Sequence, residues 1–432
     1  MVPADWHSSR PLVGIKWCAG GTADRFGSHV GHILRHLVAA KAKFERRYLN
    51  QLGHLTTSSE SPERRPSAPP VGPSTGQRLK TVDDFTLHDV EAVRLILRGG
   101  SVLDWHRLNF THVDQARRFI RNHELKLTEQ RDRGFVDHVR HEAVEYLRRH
   151  FNAAIPQSLE KSSLEELLMA ASEKAGHKQV CACTVLKTMQ IIHHLAGREL
   201  LFRLPVSDRD LFHLVEEKVY RVVGTMLSEG FPITEFIGGR KNLDSTYTKL
   251  LSKPQATASA LFDKLRFRIV TRTREHLLPV LLYLTDQLFP FTYIVPGESA
   301  NTIFHYRSYC EQIPHLSQLL GGSQEPVDDA LTPNANRFSA QTYRTIQFVA
   351  DIPVRVPQHL MELAPVGSEN LGPVVYMLCE FQLLDAETEA ANESGDASHE
   401  AYKRRQREEV SRRLRLGERS DPGASRRRNP GT

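Results

Sequence analysis

The sequence predicts an α+β protein, an N-terminal helical bundle followed by an α/β layer built on a mixed sheet. Two observations carry this. Between about residues 84 and 229 apolar side chains recur at helical spacing, most clearly in Leu211, Leu214, Val215, Val219, Val222, Val223 and Met226. From Phe231 the texture changes to short β-patterned runs, PITEFIG, KLRFRIV, TYIV, YRTIQFVA and PVVYMLCEFQLL. Helical patterns lie between them, for example Arg274 to Leu288.

Residues 1–80 read as an extension with one helical pattern, roughly Val30 to Leu52, and a Pro/Ser-rich linker from Thr56 to Lys80. Such a linker holds too little apolar surface to offset its ordering entropy. The bundle at 84–229 opens with Thr86 and Asp89, a helix-start pair, and Gly99 is a stop. THVDQARRFIRNHEL and FVDHVRHEAVEYLRRHF give two more helices. Ser163 with Glu166 opens a fourth, ended by Gly176. CACTVLKTMQIIHHLAG is a fifth, and Ser207 with Asp210 opens the last. The α/β region spans 231–406, its final helix beginning near Asp385, and 407–432 is a basic, mostly disordered tail.

A chain of 432 residues has room for two or three domains, and 40% hydrophobic with 25% charged residues is ordinary for a soluble globular protein. No run approaches the ~18 apolar residues of a membrane span, and no secretory signal is evident at the N-terminus. The five cysteines are odd in number and scattered, which fits a reducing cytosol and a cytoplasmic location. Eleven Lys/Arg against four Asp/Glu from Lys403 onward outweigh the whole net charge of +6. The body is therefore near neutral and the tail is basic.

The stretch from Gly238 to Val270 is the chemical centre of the sequence. Arg240, Lys241, Ser245 and Lys249 cluster at the start of a short helix, where cations and backbone N–H groups suit polyphosphate. Asp263 stands at the mouth of KLRFRIV, where a carboxylate suits Mg²⁺. The plain alternative is a solvated basic loop before an edge strand. Further on, Glu380 and Gln382 share one face of their strand, as do Tyr343 and Gln347. Glu393, His399, Tyr402 and Lys403 follow at helical spacing. Two other constellations are weaker. Cys181, Cys183, His193 and His194 lack zinc-finger spacing and sit in an apolar helix. His88-Asp89 is similar to a phosphohydrolase metal dyad, but Asp89 is explained by its place at a helix start.

The order of these motifs resembles the synthetase domain of RelA/SpoT-like alarmone enzymes, a nucleotidyltransferase-like fold, across about 40% of the chain. Lys241, Ser245 and Lys249 match its K-x-x-x-S-x-x-x-K loop. Asp263 to Arg268 match its D-x-x-G-x-R strand, and Tyr343 to Ile346 the start of its Y-[RK]-[ST]-[IL]-H strand. Glu380-Phe381-Gln382 match E-x-Q, and Glu393, Gly395, Ala397, His399, Tyr402 and Lys403 match its A-E-x-G-x-A-x-H-x-x-Y-K helix. The chain departs from the pattern at Arg266 (family Gly), Gln347 (family His) and Leu384-Asp385 (family Arg-Thr). The D-Y-I-x-x-P-K-x-N-G lead-in before Tyr343 is missing, and Arg240 lies one position nearer Lys241.

The resemblance implies transfer of pyrophosphate from ATP to the 3′-hydroxyl of a guanosine nucleotide. It places Mg²⁺ on Asp263 and Glu380. The ATP phosphates fall to Arg240, Lys241, Ser245, Lys249 and Arg268, and the adenine to Arg272 or Arg274. The acceptor side is Tyr343, Gln347, Gln382, His399 and Lys403. Three other functions stay open: the same chemistry on an adenine nucleotide or a tRNA 3′ end, a catalytically silent nucleotide sensor, and an RNA- or ribosome-associated module with the basic tail as its contact. The expected partners are ATP and a nucleotide acceptor, RNA or a ribosome through the basic tail, and a second copy in a homo-oligomer, with no membrane.

Overall fold

The structure, a computed structural model, describes residues 80–99, 108–173, 176–240, 243–252, 265–320 and 338–414. The helical pattern at Val30 to Leu52, nearly all of the linker, Lys241, Asp263 and the tail beyond Leu414 lie outside the described residues.

Three helix starts follow directly from local sequence. Thr86 caps α1 (Leu87–Arg98): its side chain accepts from the Asp89 N–H, and the Asp89 carboxylate takes the Thr86 N–H at 2.7 Å. Gly99, at φ 63°, closes the helix in the left-handed conformation that glycine adopts without strain. Ser163 and Glu166 open α5 (Leu164–Ala171), and Ser207 and Asp210 open α7 (Asp208–Ser228), with the same reciprocal bonds. Between them come α2 (Val113–Asn122), α3 (Gln130–Phe151), the single turn α4 (Gln157–Glu160) and α6 (His177–Arg203). Gly176, expected to end the fourth helix, is instead the N-cap of α6. The earlier helix already closes at Ser172, whose hydroxyl bonds back to the Leu168 carbonyl.

Five strands form one mixed sheet in the order β1 (Ile233–Arg240), β2 (Leu265–Thr271), β5 (Val374–Asp385), β4 (Ile346–Arg355), β3 (Ala300–Asn301). Only β2 and β5 run parallel. On one face Phe267, Phe381 and Phe348 stack at 5.4 Å steps, backed by Phe289 at the end of α9 (Leu277–Gln287) and by Tyr220 of α7. Each fully buried phenylalanine here contributes roughly 1.5–3 kcal/mol.

Two sequence expectations need correction. TYIV is not a strand. Pro290 starts a 3₁₀ turn over Phe291–Tyr293, and only an isolated bridge from Ile294 to Ala350 and a Val295 N–H bond to Val349 remain along β4. YRTIQFVA begins pairing only at Ile346, so Tyr343 precedes its strand, while the strand continues through Pro353 to Arg355. At Pro353 β4 pairs only with β5 and its other side is an edge, where a proline costs no ladder bond.

The helices lie directly on the sheet. Gly197 of α6 crosses β5 so closely that a Cβ there would stand 2.6 Å from the Tyr376 ring and 2.7 Å from the Val374 carbonyl oxygen. His194 Nε2 meets Asp351 Oδ2 at 2.7 Å, and Lys218 Nζ donates to the Pro353 carbonyl at 2.7 Å. Arg355 reaches Asp132 of α3 at 2.6 Å. The buried apolar residues join into one cluster running from Phe85 to Leu383. The remaining helices are α8 (Leu243–Ser252), α10 (Tyr306–Glu311), α11 (Pro314–Leu320), α12 (Gln358–Met361), α13 (Ala386–Asn392) and α14 (His399–Arg413). The single final helix expected from Asp385 is thus two, separated by a 3₁₀ turn at Gly395–Ala397. Among the described residues no helix is long and apolar enough to cross a membrane.

Candidate nucleotide site

The parallel register of β2 and β5 sets Arg266 beside Glu380 and Arg268 beside Gln382, and β4 adds Gln347 opposite Gln382. Strand side chains alternate, so these five share a face, opposite the phenylalanine stack. Arg266 Nε lies 3.1 Å from Glu380 Oε1, and its NH2 donates to Oε2 at 3.4 Å. Gln382 Nε2 donates to Glu380 Oε1 at 2.8 Å and to Gln347 Oε1 at 3.4 Å. Gln382 Oε1 in turn accepts from Arg268, at 3.2 Å from NH2. The Glu380 side chain is 4% exposed and Arg266's 34%, so the pair is buried on the carboxylate side and open on the guanidinium side.

Two helices close over this face. Arg268 NH1 donates to Glu389 of α13 at 2.9 Å, and its NH2 lies 3.5 Å from the Tyr343 hydroxyl. Tyr343 reaches the cleft from a turn because Asn392 clips the next residue twice. The Arg344 N–H donates to Asn392 Oδ1 at 3.0 Å, and Asn392 Nδ2 donates to the Arg344 carbonyl at 2.7 Å. Lys403 of α14 donates to Ser245 of α8 at 3.1 Å, joining the basic loop's helix to the far end of the site. His399 stacks on Tyr402 one turn below.

The electrostatics favour an anion. Burial lowers the Lys403 pKa, and the nearby Arg266 and Arg407 lower it further. Burial also lowers that of His399, followed by the fields of Lys403, Arg266 and Arg268. A bound anion would relieve the mutual repulsion of these cations. Glu389 has its pKa raised by burial, against the pull of Arg268, and its Oε2 is buried with no hydrogen-bond partner.

Of the residues singled out in the sequence, Ser245, Arg268, Tyr343, Gln347, Glu380, Gln382, His399 and Lys403 come together here. Lys249 lies on the same helix as Ser245. Arg240 does not join them: its guanidinium makes a two-pronged pair with Glu216 of α7, at 3.0 and 2.9 Å, and lies over the Phe212 ring. Arg274 sits beside Asp385 at 3.7 Å, with more than half of its side chain exposed. Sequence reasoning missed Glu389 and Asn392. Both stand on a short polar helix where nothing but the tertiary fold distinguishes them from solvated residues.

The magnesium pair expected on Asp263 and Glu380 is only half described, because Asp263 lies outside the described residues. No group of three or more His, Cys, Asp or Glu side chains among them could hold a metal. Glu380, the carboxylate expected to ligate, already receives a guanidinium and an amide. The Cys181, Cys183, His193, His194 constellation likewise forms no such group.

No family model matches the chain, and no curated protein matches it. Similar solved structures include the small alarmone synthetase 1 from Bacillus subtilis, with 14% identity and a TM-score of 0.25 over 48% of this chain and 87% of that one. The same synthetase bound to its product pppGpp gives the same values. The small alarmone synthetase 2 from Bacillus subtilis gives 14% identity and a TM-score of 0.26 over 50% and 89%. At such values these likenesses do not assign a function.

Proposed function

We propose that the cleft over β2 and β5 binds nucleotides, and that the protein is a RelA/SpoT-like pyrophosphotransferase with a nucleotidyltransferase-like sheet. It moves pyrophosphate from ATP to the 3′-hydroxyl of a guanosine nucleotide. One observation carries this reading: motifs scattered from Ser245 to Lys403 meet on one face of the sheet, with Arg268, Gln382 and Tyr343 in direct contact. Phosphoryl chemistry of this type depends on positioning and charge neutralisation, which an array of cations supplies. In this reading Arg268, Lys403, Ser245 and Lys249 hold the ATP phosphates, with Lys403 also close to those of the acceptor. Tyr343 stacks on the acceptor base, and His399 faces the acceptor phosphates. Gln347 and Gln382 orient the acceptor, and Glu380 assists loss of the hydroxyl proton. Lys241 completes the phosphate set. Arg240 and Arg274 join it only by leaving Glu216 and Asp385. Mg²⁺, expected with Asp263, would offset phosphate charge. The described residues do not form its site, so no step is assigned to it.

A second reading is favoured by the Arg266–Glu380 pair. A guanidinium held on Glu380 leaves a site that binds nucleotide without turning it over, as a sensor does. The test is to incubate purified protein with γ-labelled ATP and Mg²⁺, with GDP, GTP, ADP or tRNA in separate reactions, and resolve the products. Label on GDP or GTP, lost in Glu380→Gln, is the expected result. Label on ADP or tRNA alone would move the acceptor. Measurable ATP affinity with no labelled product would replace the transferase by the sensor.

A further inference from the structure

We propose that the pocket between α2, α3, α5 and α6 is a binding site for a small, uncharged, aromatic-sized molecule carrying one hydroxyl. The space has a volume of about 60 Å³. At ~10–15 Å³ for each water position, that is room for about four to six waters, or one ring. Its walls are mostly apolar, with Phe119, Phe135, Val136, Leu168 and Met189 among them, and His123, Gln190, His193 and Tyr293 supply the polar atoms. An ion would lose its hydration there and gain no counter-charge, because burial pushes the His193 pKa down to about 3 and that of His123 to about 4, leaving both neutral.

The polar atoms are nearly all committed elsewhere. Gln190 Nε2 donates to the Thr292 carbonyl at 3.0 Å, and His123 Nδ1 bonds the Phe119 carbonyl at 2.8 Å. The Tyr293 hydroxyl bonds that of Tyr376 at 3.0 Å, and Tyr376 also meets His193 Nδ1 at 3.3 Å. Of the lining residues, His193 has a fully buried side-chain polar atom, Nε2, without a hydrogen-bond partner, and the residue is only 6% exposed. A buried polar atom in that state is costly. Water satisfies it poorly, since a buried water needs two to four polar partners and this wall offers few. A ring bearing one hydroxyl fills the apolar part and pairs with Nε2. A hydroxyl both donates and accepts, so it serves either imidazole tautomer. Phe135, already edge-on to the His193 ring at 5.2 Å, offers an aromatic wall.

The experiment is ligand-observed saturation-transfer NMR on the full chain, with phenol and benzene as probes. Saturable binding of both is expected, phenol about threefold to tenfold tighter because of the one hydrogen bond. That preference should vanish in His193→Phe. Binding of both should be lost in Val136→Phe, which fills the space. Leu164→Phe, at a partly buried wall position, gives a second filled variant should the first not fold. No saturable binding of either probe would mean a space holding only water, and would overturn the proposal. So would binding that persists in a folded, filled variant, or a phenol preference that survives His193→Phe. Nucleotide transfer enters none of these readouts, so the outcome is independent of the function proposed for the cleft.

Discussion

Arg266 gives the cleft its character at the scale of single residues. A carboxylate alone on an apolar strand is unfavourable, and the sequence therefore suggests that Glu380→Gln relieves the fold. The Arg266 pair reverses that sign. The substitution strips the guanidinium of its counter-charge and should cost roughly 1–2 kcal/mol, less than the ~3–5 of a fully buried pair because Arg266 is a third exposed. Urea melts of the two proteins check this, and an unchanged or raised midpoint would remove the pair from the account of stability. In the transferase reading the same variant loses about 10²-fold or more in turnover. The histidines give a prediction in pH. His193 and His123 have folded pKa values lowered to about 3 and about 4, so below pH ~6.5 the unfolded chain binds more protons and stability falls as pH falls. Asp286, raised by burial to about 6, works the other way between ~pH 4 and 6. Two groups against one leave a net loss on the order of 2–3 kcal/mol from pH 7 to pH 5. Chemical denaturation at both values measures it, and a flat profile would show that the imidazoles are protonated in the fold.

At the scale of elements, α6 crosses β5 at Gly197 with no room for a side chain. Alanine is the better helix former, by about 1 kcal/mol over glycine. At Gly197, however, the new Cβ meets a backbone carbonyl and a buried ring at 2.6–2.7 Å, and neither can swing away. Overpacking of this kind costs ~1–3 kcal/mol. Gly197→Ala should therefore lower the melting temperature despite its propensity, and a rise would mean that the helix and strand slide apart freely. The α13 clip makes a separate prediction. Asn392→Ala frees the Arg344 backbone and with it Tyr343, so acceptor affinity should fall several-fold while ATP affinity holds. Titrating each nucleotide separately distinguishes this from a general loss of fold.

For the whole molecule, polar contacts join the helical region to the sheet: the ion pairs of Arg355 with Asp132 and Glu129, and the hydrogen bond between His194 and Asp351. A shared apolar cluster runs beneath them. We expect residues 84–414 to unfold in one transition, seen as coincident melts by far-UV circular dichroism and by calorimetry. Two resolved transitions would instead support independent domains divided near residue 230. Deleting Gly417 to Thr432 should leave the midpoint nearly unchanged, because a Pro/Gly/Arg segment buries little surface.

What the sequence determined by itself is whatever depends on neighbours a few residues apart. Thr86/Asp89, Ser163/Glu166 and Ser207/Asp210 each fix a helix start through bonds spanning three residues. The alternation in LRFRIV and VVYMLCEFQLL fixes which side chains share a face. The motif order fixed which residues to watch, and eight of them do meet. Pairing across the chain was decided only by the tertiary structure. Nothing local says that Arg266 lands on Glu380, 114 positions away, that Arg240 is taken by Glu216, or that Glu389 comes to rest against Arg268. TYIV has the composition of a strand and is not one: Pro290 opens a 3₁₀ turn that takes in Tyr293, whose hydroxyl meets that of Tyr376. Such choices depend on burial and on competition for charged partners, and those become defined only when distant segments share one interior.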